Sequence, residues 1–317
     1  MLDGLPVLAV LCGLQCSGKS TAAKKFTTKF DSVSDKWIIL SSDAIRAEQP
    51  TWDNAAVFNY IHNEINKNLA AGINVLIDAT NTTYKARSSI FNCLKVKCTK
   101  ICHIMNTPFD ECMERLKVRN LLKDTHYVPE DVLLRYYQNF EIPFKEEGWD
   151  YITFENEIEP LNGINTDLRG KLFGQMLYFD QKCKWHLETL DEHAIMVRQI
   201  LKLSDLATDE LIESATWHDY GKLKTQKPKE KEPNEMCYYR HESVGAYDLM
   251  CIPNLFNNAI DVLFYINYHM KGFDAKKSEK TYNKLLKRFG TQKFTQLMLF
   301  NNADCNGVVT NEKKYMK

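Results

Sequence analysis

Residues 13–20 read Gly-Leu-Gln-Cys-Ser-Gly-Lys-Ser and match the pattern G-x-x-x-x-G-K-[ST] in full. An apolar segment at residues 5–12 comes directly before this stretch, and a helical pattern at residues 19–30 follows it. Glycines let such a loop turn so that successive backbone N–H groups point inward, where they can hold phosphate oxygens. The arrangement predicts a buried first strand, a phosphate-binding loop and a helix, in that order.

The loop pattern also predicts what binds there. In this motif the lysine, here Lys19, reaches the β- and γ-phosphates of a nucleoside triphosphate, and the hydroxyl of Ser20 binds Mg²⁺. We therefore expect ATP and Mg²⁺ as cofactors. The loop residues predicted to bind the nucleotide are Gly13, Ser17, Gly18, Lys19, Ser20 and Thr21.

Strand-like and helix-like segments alternate through the rest of the first half. Residues 73–77 are a nearly continuous apolar run, as expected for a parallel strand that is covered on both faces. Further strands are predicted at residues 37–40 and 100–105, and helices at residues 51–71, 82–96 and 109–119. This alternation predicts an α/β domain with a doubly wound parallel sheet over residues 1–142.

The pattern changes in the second half, and 317 residues are enough for two domains. Breakers at Gly148, Pro160 and Gly163 predict a linker over residues 143–172. Helical periodicity then dominates, which predicts an all-α domain over residues 173–317. Within it, the charged, proline-containing residues 222–235 are expected to form an exposed loop.

Polar residues follow two of the predicted strands. Asp43 and Arg46 come just past the second strand at i, i+3 spacing, which puts them on one helical face. Asp78 ends the third strand, close to the expected Mg²⁺ side of the loop, and Asn81 follows it. Since ligands bind beyond the carboxyl ends of parallel strands, we expect Asp43 to orient a hydroxyl acceptor and take its proton, with Arg46 holding an acceptor phosphate.

Arg115 and Arg119 lie at i, i+4 spacing near the end of a predicted helix. Arginines at such a position can neutralise charge that develops on a transferred phosphoryl group. The residues after them, 120–128, are expected to form a mobile lid.

Together these motifs resemble the kinase module of the polynucleotide 5′-kinases, over about residues 5–142. The resemblance rests on the loop, the D-x-x-R at Asp43, the D-x-T-N at Asp78, the R-x-x-x-R at Arg115 and the Val-Pro at residues 128–129. It implies that Asp43 is the general base for a 5′-hydroxyl and that Arg46 contacts the acceptor's phosphate. It also implies that Arg115 and Arg119 clamp the donor phosphates, with Asp78 and Asn81 beside the nucleotide.

Histidines and acidic residues recur through the second half at intervals that suit one helix and one connection each. Successive helices could each bring one such side chain to a common centre. Imidazole and carboxylate groups together suit a catalytic divalent metal, which makes bound water acidic. The predicted ligands are His193, His218, Asp219, His241, His269 and Asp304.

The same order, with H-D-x-G-K at His218 to Lys222, resembles the HD-domain phosphohydrolases over about residues 175–310. In that family the four core ligands correspond to His193, His218, Asp219 and Asp304. The resemblance implies that His241 and His269 bind a second metal or the substrate phosphate, and that Lys222 contacts that phosphate. One or two divalent transition metals are expected. His186 falls outside the motif and is assigned as a substrate contact.

A 5′-kinase joined to a phosphohydrolase resembles the bifunctional end-healing enzymes of nucleic-acid repair. The resemblance implies phosphorylation of a 5′-OH and removal of a 2′,3′-cyclic or 3′-phosphate, with RNA preferred to DNA and a ligase acting afterwards. The aspartate-nucleophile phosphatase motif D-x-D-x-T, found in phage-type enzymes of this kind, is absent from the sequence. Two alternatives stay open: a small-molecule kinase fused to a nucleotide phosphohydrolase, and a nucleotide-regulated or toxin-like module without turnover.

Composition adds little about substrate, because 41 basic and 41 acidic residues give a formal net charge of zero and exclude a global basic field. No apolar run reaches the length needed to cross a bilayer, so no membrane contact is expected. The ten cysteines form no CxxC pairs and are expected to be reduced thiols in a cytoplasmic protein.

Overall fold

The computed structural model describes residues 4–29, 36–122, 127–156, 163–184 and 186–309. The chain divides into two compact units. Unit 1 comprises Met1–Tyr137 and Pro143–Glu157, and unit 2 comprises Gln138–Ile142 and Ile158–Lys317. The residues predicted as a linker, 143–172, are thus shared between the two units, and residues 157–162 of that segment lie outside the described part.

Unit 1 is built on a five-stranded sheet in the order β2-β3-β1-β4-β5, in which every neighbouring pair is parallel. The predicted α/β class with a parallel sheet is therefore confirmed for this unit. The fifth strand was not predicted, because it falls in the segment interpreted as a linker. The strands are β1 (Val7–Cys12), β2 (Trp37–Ser41), β3 (Asn74–Asp78), β4 (Thr99–Ile104) and β5 (Tyr151–Phe154).

Strand β1 is central to the sheet and buried along its whole length. It pairs with β3 through Leu8 and Val75 and with β4 through Leu8 and Lys100. Helices on both faces exclude water from it, which is why its sequence is an unbroken apolar run instead of an alternating one. The loop that follows β1 consequently opens at the carboxyl edge of the sheet, between β3 and β4.

The helices of unit 1 begin where side chains cap their first turns. Ser41, Asp53 and Thr83 each accept a hydrogen bond from the backbone N–H three residues on. These caps shift two predicted starts, at residues 51 and 82, by a few residues. Phe30, the predicted end of the first helix, lies outside the described residues. The helices are α1 (Lys19–Lys29), α2 (Ser42–Glu48), α3 (Asn54–Ala70), α4 (Tyr84–Cys93), α5 (Phe109–Asn120) and α6 (Glu130–Gln138).

A fully buried ion pair holds the segment before β5 in unit 1. The Arg87 guanidinium donates to both carboxylate oxygens of Glu147, at 2.7 and 2.6 Å, and Trp149 Nε1 donates to the same carboxylate at 2.9 Å. The Arg87 and Glu147 side chains are 0% and 1% exposed. The charges lie 60 residues apart in sequence, so nothing local predicts the pair.

Unit 2 is mainly helical, as predicted, with one short ribbon of strands β6 (Lys227–Pro228) and β7 (Met236–Cys237). The prediction of an exposed loop over residues 222–235 is wrong at its start: residues 222–225 are helical, and Lys222 is buried because it forms an ion pair inside the unit. The helices are α7 (Thr166–Gly174), α8 (Leu190–Lys202), α9 (Asp209–Trp217), α10 (Lys222–Thr225), α11 (His241–Met250), α12 (Ala259–Tyr268), α13 (Lys271–Ala275) and α14 (Glu279–Asn306).

Unit 2 also contains a break in helix α14 and a short segment, residues 138–142, from earlier in the chain. Helix α14 is interrupted at Gly290, whose φ of 74° departs from helical geometry. Residues 138–142 pack into this unit: the Ile142 N–H donates to Asn267 Oδ1 at 3.0 Å, and the Tyr268 hydroxyl donates to the Ile142 carbonyl at 3.0 Å. Among the helices that the structure describes, none is both long enough and apolar enough to cross a membrane.

Candidate functional site

The loop between β1 and α1 has the backbone geometry that its glycines predict. Gly18 has a φ of 91°. A Cβ on Gly13 would lie 2.6 Å from Met105 Cβ and 2.9 Å from Ser17 Oγ, so no larger residue fits without movement. Cys16 adopts a φ of 61° although it is not a glycine, which is uncommon outside tight functional turns.

The Lys19 ammonium folds back onto this loop. It donates to the Leu14 carbonyl at 2.5 Å and to the Gly13 carbonyl at 3.3 Å. Burial lowers the pKa of Lys19, while the negative charge of nearby Asp78 acts in the opposite direction. A desolvated cation at the phosphate loop is suited to an anionic ligand such as a triphosphate.

Ser20 and Asp78 meet beside the loop. The Ser20 hydroxyl donates to Asp78 Oδ2 at 2.8 Å, and Asp78 is buried at the end of β3. Oxygen ligands of this kind, a hydroxyl and one carboxylate next to phosphates, are what Mg²⁺ takes in nucleotide sites. The residues present therefore fit the predicted Mg²⁺.

A single cleft of about 1600 Å³ in unit 1 joins the predicted kinase residues. It is larger than the roughly 300–1,000 Å³ of typical small-ligand pockets, so it can take two substrates. The predicted residues that line it are Ser17, Gly18, Lys19, Ser20, Thr21, Asp43, Arg46, Asp78, Arg115 and Arg119. Asp43 therefore lies on the same side of the sheet as the phosphate loop.

Asp43 is open to an incoming substrate. Its side chain is 78% exposed, and its Oδ1 accepts from Arg46 Nη1 at 3.2 Å. Arg46 also donates from Nη2 to Asn54 Oδ1 at 3.0 Å, so the guanidinium is held between helices α2 and α3. Asn54 was not predicted, because a lone asparagine at a helix start carries no distinctive pattern.

The two predicted clamp arginines reach the cleft from α5. Arg115 Nη1 donates to the Cys16 carbonyl at 3.3 Å, and its other nitrogen pairs with Glu111. Arg119 lies one turn further along the cleft wall. The predicted lid at residues 120–128 lies partly outside the described residues, since 123–126 are among those not described, and it stays a prediction.

Asn81 is placed differently from the other predicted nucleotide contacts. Its side chain is buried and donates to the Leu11 carbonyl at 2.9 Å, and Asn81 is not among the described residues that line the cleft. The Cys12 thiol and Arg87 Nη1 both donate to its carbonyl. The structure therefore brings Asn81 beneath the loop, where it ties β1 to the chain after β3.

Aromatic side chains that the sequence did not single out also line the cleft. Trp52 stands between α2 and α3, with its ring centroid 5.6 Å from that of Tyr60 at its rim. Phe58, Tyr127 and Tyr136 contribute further rings to the lining. No sequence pattern set these residues apart, because aromatic residues more often belong to a core.

In unit 2 the predicted histidines converge on one buried centre. Their Nε2 atoms face one another in two pairs, 3.3 Å apart between His193 and His218 and 3.2 Å apart between His241 and His269. In each ring the other nitrogen, Nδ1, lies 2.8–3.2 Å from a backbone carbonyl, those of Gly307, Ala215, Tyr238 and Ile266 respectively. A proton held at Nδ1 leaves the Nε2 lone pair free for a metal, which is the usual arrangement around ligating histidines.

Asp219 stands between the two histidine pairs. Its Oδ2 lies 3.3 Å from His218 Nε2, and its Oδ1 lies 3.0 Å from His241 Nε2. Asp304 Oδ1 is 3.1 Å from His193 Nε2. Two sets of possible ligands share Asp219: His193 with His218 and Asp219, and Asp219 with His241 and His269. A third set, His186 with Glu188 and His193, adjoins them. Imidazole with carboxylate suits divalent transition metals, so the residues present fit one or two such ions.

In the absence of a metal, burial and the short distances between these side chains shift their pKa values. Burial and the adjoining His218 and His241 lower the pKa of His269 to about 3. Burial alone would lower the pKa of His193, but hydrogen bonds to Asp304 and Glu188 raise it to about 9. Such opposed shifts are common where several ligands have been brought together for a cation.

Two predicted contacts sit at the edge of this centre. Lys222 Nζ lies 2.6 Å from Asp219 Oδ2 and donates to Gln181 Oε1 at 2.7 Å. His186 Nδ1 is 2.6 Å from Glu188 Oε1, which in turn lies 3.4 Å from His193 Nδ1. Glu188 was missed, although its place just before the first turn of α8 puts it within reach of His193.

Comparisons with known proteins concern the first half of the chain. A family model described as "AAA domain" matches residues 8–143, less than half of the chain. The L-seryl-tRNA(Sec) kinase of Methanococcus maripaludis is 28% identical over 151 residues, which is 45% of this chain and 56% of that protein. The chain thus spans about half the length of this curated relative. Together with the parallel sheet, these matches confirm the predicted P-loop fold of unit 1.

Several solved structures are similar in part. A structure of the Pnkp1/Rnl/Hen1 RNA repair complex is 21% identical, with 42% of this chain and 43% of that chain covered and a TM-score of 0.37. A fungal RNA kinase is 13% identical, with 53% and 81% covered and a TM-score of 0.33. A gluconokinase from Sinorhizobium meliloti 1021 is 14% identical, with 47% and 82% covered and a TM-score of 0.32. Likenesses this distant do not distinguish among substrates.

Proposed function

We propose that unit 1 transfers the γ-phosphoryl group of ATP to the 5′-hydroxyl of an RNA or DNA end, and that unit 2 hydrolyses a 2′,3′-cyclic or 3′-phosphate. The observation that carries the kinase half is the shared cleft, in which the exposed carboxylate of Asp43 and the loop lysine Lys19 face the same space. The buried donor cluster around Asp219 supports the hydrolase half.

In the kinase step the loop N–H groups and Lys19 hold the β- and γ-phosphates of ATP, and Ser20 and Asp78 would hold Mg²⁺. Asp43 accepts the proton of the 5′-hydroxyl as its oxygen bonds to the γ-phosphorus. The bond from that phosphorus to the β,γ-bridging oxygen breaks, and ADP leaves. Arg115, which lies against the loop, stabilises the charge on the transferred group.

A nucleic-acid acceptor is favoured over a small alcohol by two features. Aromatic rings such as Trp52 and Tyr127 can stack on bases, while Arg46 and Arg119 can pair with backbone phosphates. The matched relative is named as a kinase of L-seryl-tRNA(Sec), a substrate that contains RNA. A formal net charge of zero requires this basic, aromatic surface to be local.

In the hydrolase step His193, His218, Asp219 and Asp304 would hold one divalent metal, and Asp219, His241 and His269 a second. A metal so bound makes water acidic and polarises a phosphoryl oxygen. Lys222, a fixed cation beside Asp219, binds the substrate phosphate. The oxygen of water bonds to phosphorus, the bond from phosphorus to the 2′- or 3′-oxygen of the sugar breaks, and a proton from that water ends on the released sugar hydroxyl.

The test is an end-group assay on one oligonucleotide that carries a 5′-OH and a 2′,3′-cyclic phosphate, with labelled ATP, Mg²⁺ and either Mn²⁺ or Ni²⁺. We expect both ends to change in the wild type, only the 3′ end in Asp43→Ala, and only the 5′ end in Asp219→Ala. An unlabelled oligonucleotide alongside a phosphorylated nucleoside or sugar would overturn the polynucleotide assignment. ATP binding without phosphoryl transfer to any acceptor would overturn the kinase itself.

A further inference from the structure

Two tyrosines beside the metal-ligand cluster of unit 2 are the most exposed aromatic side chains that the structure describes. Tyr178 is 85% exposed and Tyr239 is 78% exposed, whereas tyrosine usually buries its ring and leaves only the hydroxyl in water. Tyr239 precedes the predicted ligand His241 by two residues. The Tyr178 N–H donates to Asp191 Oδ1 at 3.1 Å, and Asp191 lies two residues before the predicted ligand His193. Neither tyrosine has a part in the reaction proposed above.

Hydrogen bonds hold the two segments that carry these tyrosines next to each other. The Met236 N–H donates to the Lys182 carbonyl at 2.9 Å, and the Tyr238 hydroxyl donates to the Gln181 carbonyl. The two segments therefore form one continuous surface. We call it the tyrosine surface and define it as residues 178–182 and 236–240.

Three residues of the tyrosine surface have a left-handed backbone conformation. φ is 58° at Tyr178, 44° at Lys182 and 67° at Arg240. Such values are uncommon outside glycine, are outliers for bulky side chains, and cluster at functional sites. In unit 1 the described non-glycine residues with positive φ, Cys16 and Asn81, both adjoin the phosphate loop. Asparagine or glycine would fit these three positions with less strain, which indicates that the larger side chains are used.

Tyr238 connects the tyrosine surface to the metal-ligand cluster. Its carbonyl lies 2.8 Å from His241 Nδ1, and Lys222 Nζ lies 5.5 Å from the centre of its half-buried ring. Lys222 is the residue proposed to bind the substrate phosphate. The tyrosine surface thus adjoins the proposed phosphate position and extends from it to solvent.

Exposed cations accompany the exposed rings. Lys182 and Arg240 are both exposed, and Arg240 Nη1 lies 3.9 Å from Glu242 Oε1, at the outer limit of an ion pair. Asp180 Oδ1 accepts from the Lys182 N–H at 2.8 Å, so this carboxylate is partly engaged by the backbone. Aromatic rings interleaved with cations are the surface on which single-stranded nucleic acid binds, with its bases stacked and its phosphates paired.

We propose that the tyrosine surface binds the single-stranded nucleic acid that leads to the 3′ end, with bases on Tyr178 and Tyr239 and backbone phosphates on Lys182 and Arg240. The terminal phosphate lies at the metal-ligand cluster, and the nucleotides before the terminal one lie on the surface. This inference rests on the hydrolase function proposed above and adds its substrate class, which is a strand of two or more nucleotides in preference to a mononucleotide.

Hydrolysis of two substrates by the full chain in Mn²⁺ tests the surface: a hexanucleotide that ends in a 2′,3′-cyclic phosphate, and a 2′,3′-cyclic mononucleotide. We expect Tyr239→Leu to raise KM for the hexanucleotide by about fivefold or more, as for the loss of one stacked base, and to leave KM for the mononucleotide unchanged. Tyr151→Leu, at a 51%-exposed tyrosine of unit 1, is the matched control. An unchanged hexanucleotide KM in Tyr239→Leu would overturn the inference.

Tyr178→Asn separates binding from folding. Asparagine adopts positive φ more readily than tyrosine, so we expect this variant to resist urea at least as well as the wild type while its KM for the hexanucleotide rises. Lower stability with an unchanged KM would mean that the ring only supports the fold, and would overturn its binding role.

The role of the cations is tested by ionic strength. For the hexanucleotide, the slope of log KM against log salt concentration should be shallower by about 0.7 in Arg240→Asn, as for the loss of one phosphate contact on a single strand. Lys202→Gln, which removes an exposed cation at the end of α8, should keep the wild-type slope. Equal slopes in all three proteins would overturn the phosphate contact.

Crosslinking distinguishes failure of this inference from failure of the hydrolase function. A hexanucleotide with 4-thiouridine next to its 3′-terminal nucleotide is irradiated with the full chain, and mass spectrometry identifies the attached residues. Attachment to Tyr178 or Tyr239 supports the surface even if neither substrate is hydrolysed, in which case the hydrolase function fails alone. Hydrolysis of both substrates with attachment confined to other residues would overturn the surface alone.

Discussion

Asp219 Oδ1 lies 3.0 Å from His241 Nε2, while the other oxygen of the same carboxylate faces the second histidine pair. One carboxylate therefore serves both donor sets. We expect Asp219→Asn, which keeps the shape and removes the charge, to reduce bound metal and to lower hydrolysis by more than about 100-fold, a loss beyond that of replacing an outer-shell partner. Elemental analysis of the purified protein measures the bound metal, and the two end-group assays measure hydrolysis and 5′-phosphorylation. Unchanged metal content would contradict a bridging role, and the 5′-kinase rate serves as the internal control.

Glu188 contacts His193, one of the proposed metal ligands, from the side away from the other ligands. Its buried carboxylate lies 3.4 Å from His193 Nδ1 and accepts from the Val309 N–H at 2.9 Å. Burial alone would raise the pKa of Glu188, but hydrogen bonds from His186 and His193 outweigh it and lower it. We expect Glu188→Gln to weaken metal affinity by about 10–100-fold and to leave hydrolysis largely intact at saturating metal. Glu232→Gln, which changes an exposed carboxylate, is the matched control. If Glu188→Gln and the wild type bind metal equally well in titrations, Glu188 has no positioning role.

Gly13→Ala tests the packing of the phosphate loop. The new methyl group would lie 2.6 Å from Met105 Cβ, a side-chain atom next to the backbone, so the loop must move. We expect a higher KM for ATP and a lower kcat for the kinase, with hydrolysis unchanged. Gly174→Ala is the control, because a Cβ there meets nothing within 4 Å. Wild-type kinase kinetics in Gly13→Ala would show that the loop tolerates a side chain.

Arg87→Met should destabilise unit 1. The change leaves the 1%-exposed carboxylate of Glu147 without its cation, and breaking a buried pair in this way costs about 3–5 kcal/mol. Urea unfolding of the full chain, followed by tryptophan fluorescence, measures the loss. Adding Glu147→Gln removes the stranded charge and should recover part of the stability. A double variant as unstable as Arg87→Met would rule out this electrostatic cause.

The metal-free protein should lose stability as the pH falls below neutral. The pKa of His269 is lowered to about 3 from an ordinary 6.5, so between these values the unfolded chain binds a proton that the folded chain does not. The contribution of His269 to the free energy of unfolding is complete above pH 6.5 and falls by about 1.4 kcal/mol per pH unit below pH 6.5. His193, with a pKa raised to about 9, changes stability only above pH 6.5, and Asp304, with a pKa lowered from 3.8 to about 2, changes it mainly below pH 3.8.

Denaturant melts in chelator between pH 6.5 and 4.5 compare wild type with His269→Asn. We expect the free energy of unfolding to change less with pH in the variant, by an amount that corresponds to about one bound proton. Parallel curves would mean that His269 binds its proton equally in both states.

Local patterns predicted much of the site in unit 1. The loop at residues 13–20, the end of β3 at Asp78 and the helical spacing of Arg115 and Arg119 are each encoded within a few residues. The fifth strand was missed because its partner, β4, lies about 50 residues earlier in the chain and its own four residues fall in the segment interpreted as a linker. Asn81 was expected at the nucleotide because of its motif, yet its side-chain amide donates to the Leu11 carbonyl at the end of β1, a contact 70 residues apart in sequence that no short window could indicate.

The sequence by itself determined the phosphate loop, the parallel class of the first unit and the identity of the histidines and aspartates that could ligate a metal, because backbone freedom, apolar period and ligand type are local properties. Only the tertiary structure decided that Asp43 and Lys19 share a cleft and that Asp219 faces two histidine pairs. These relationships join residues from separate elements, and packing alone sets the distances between them.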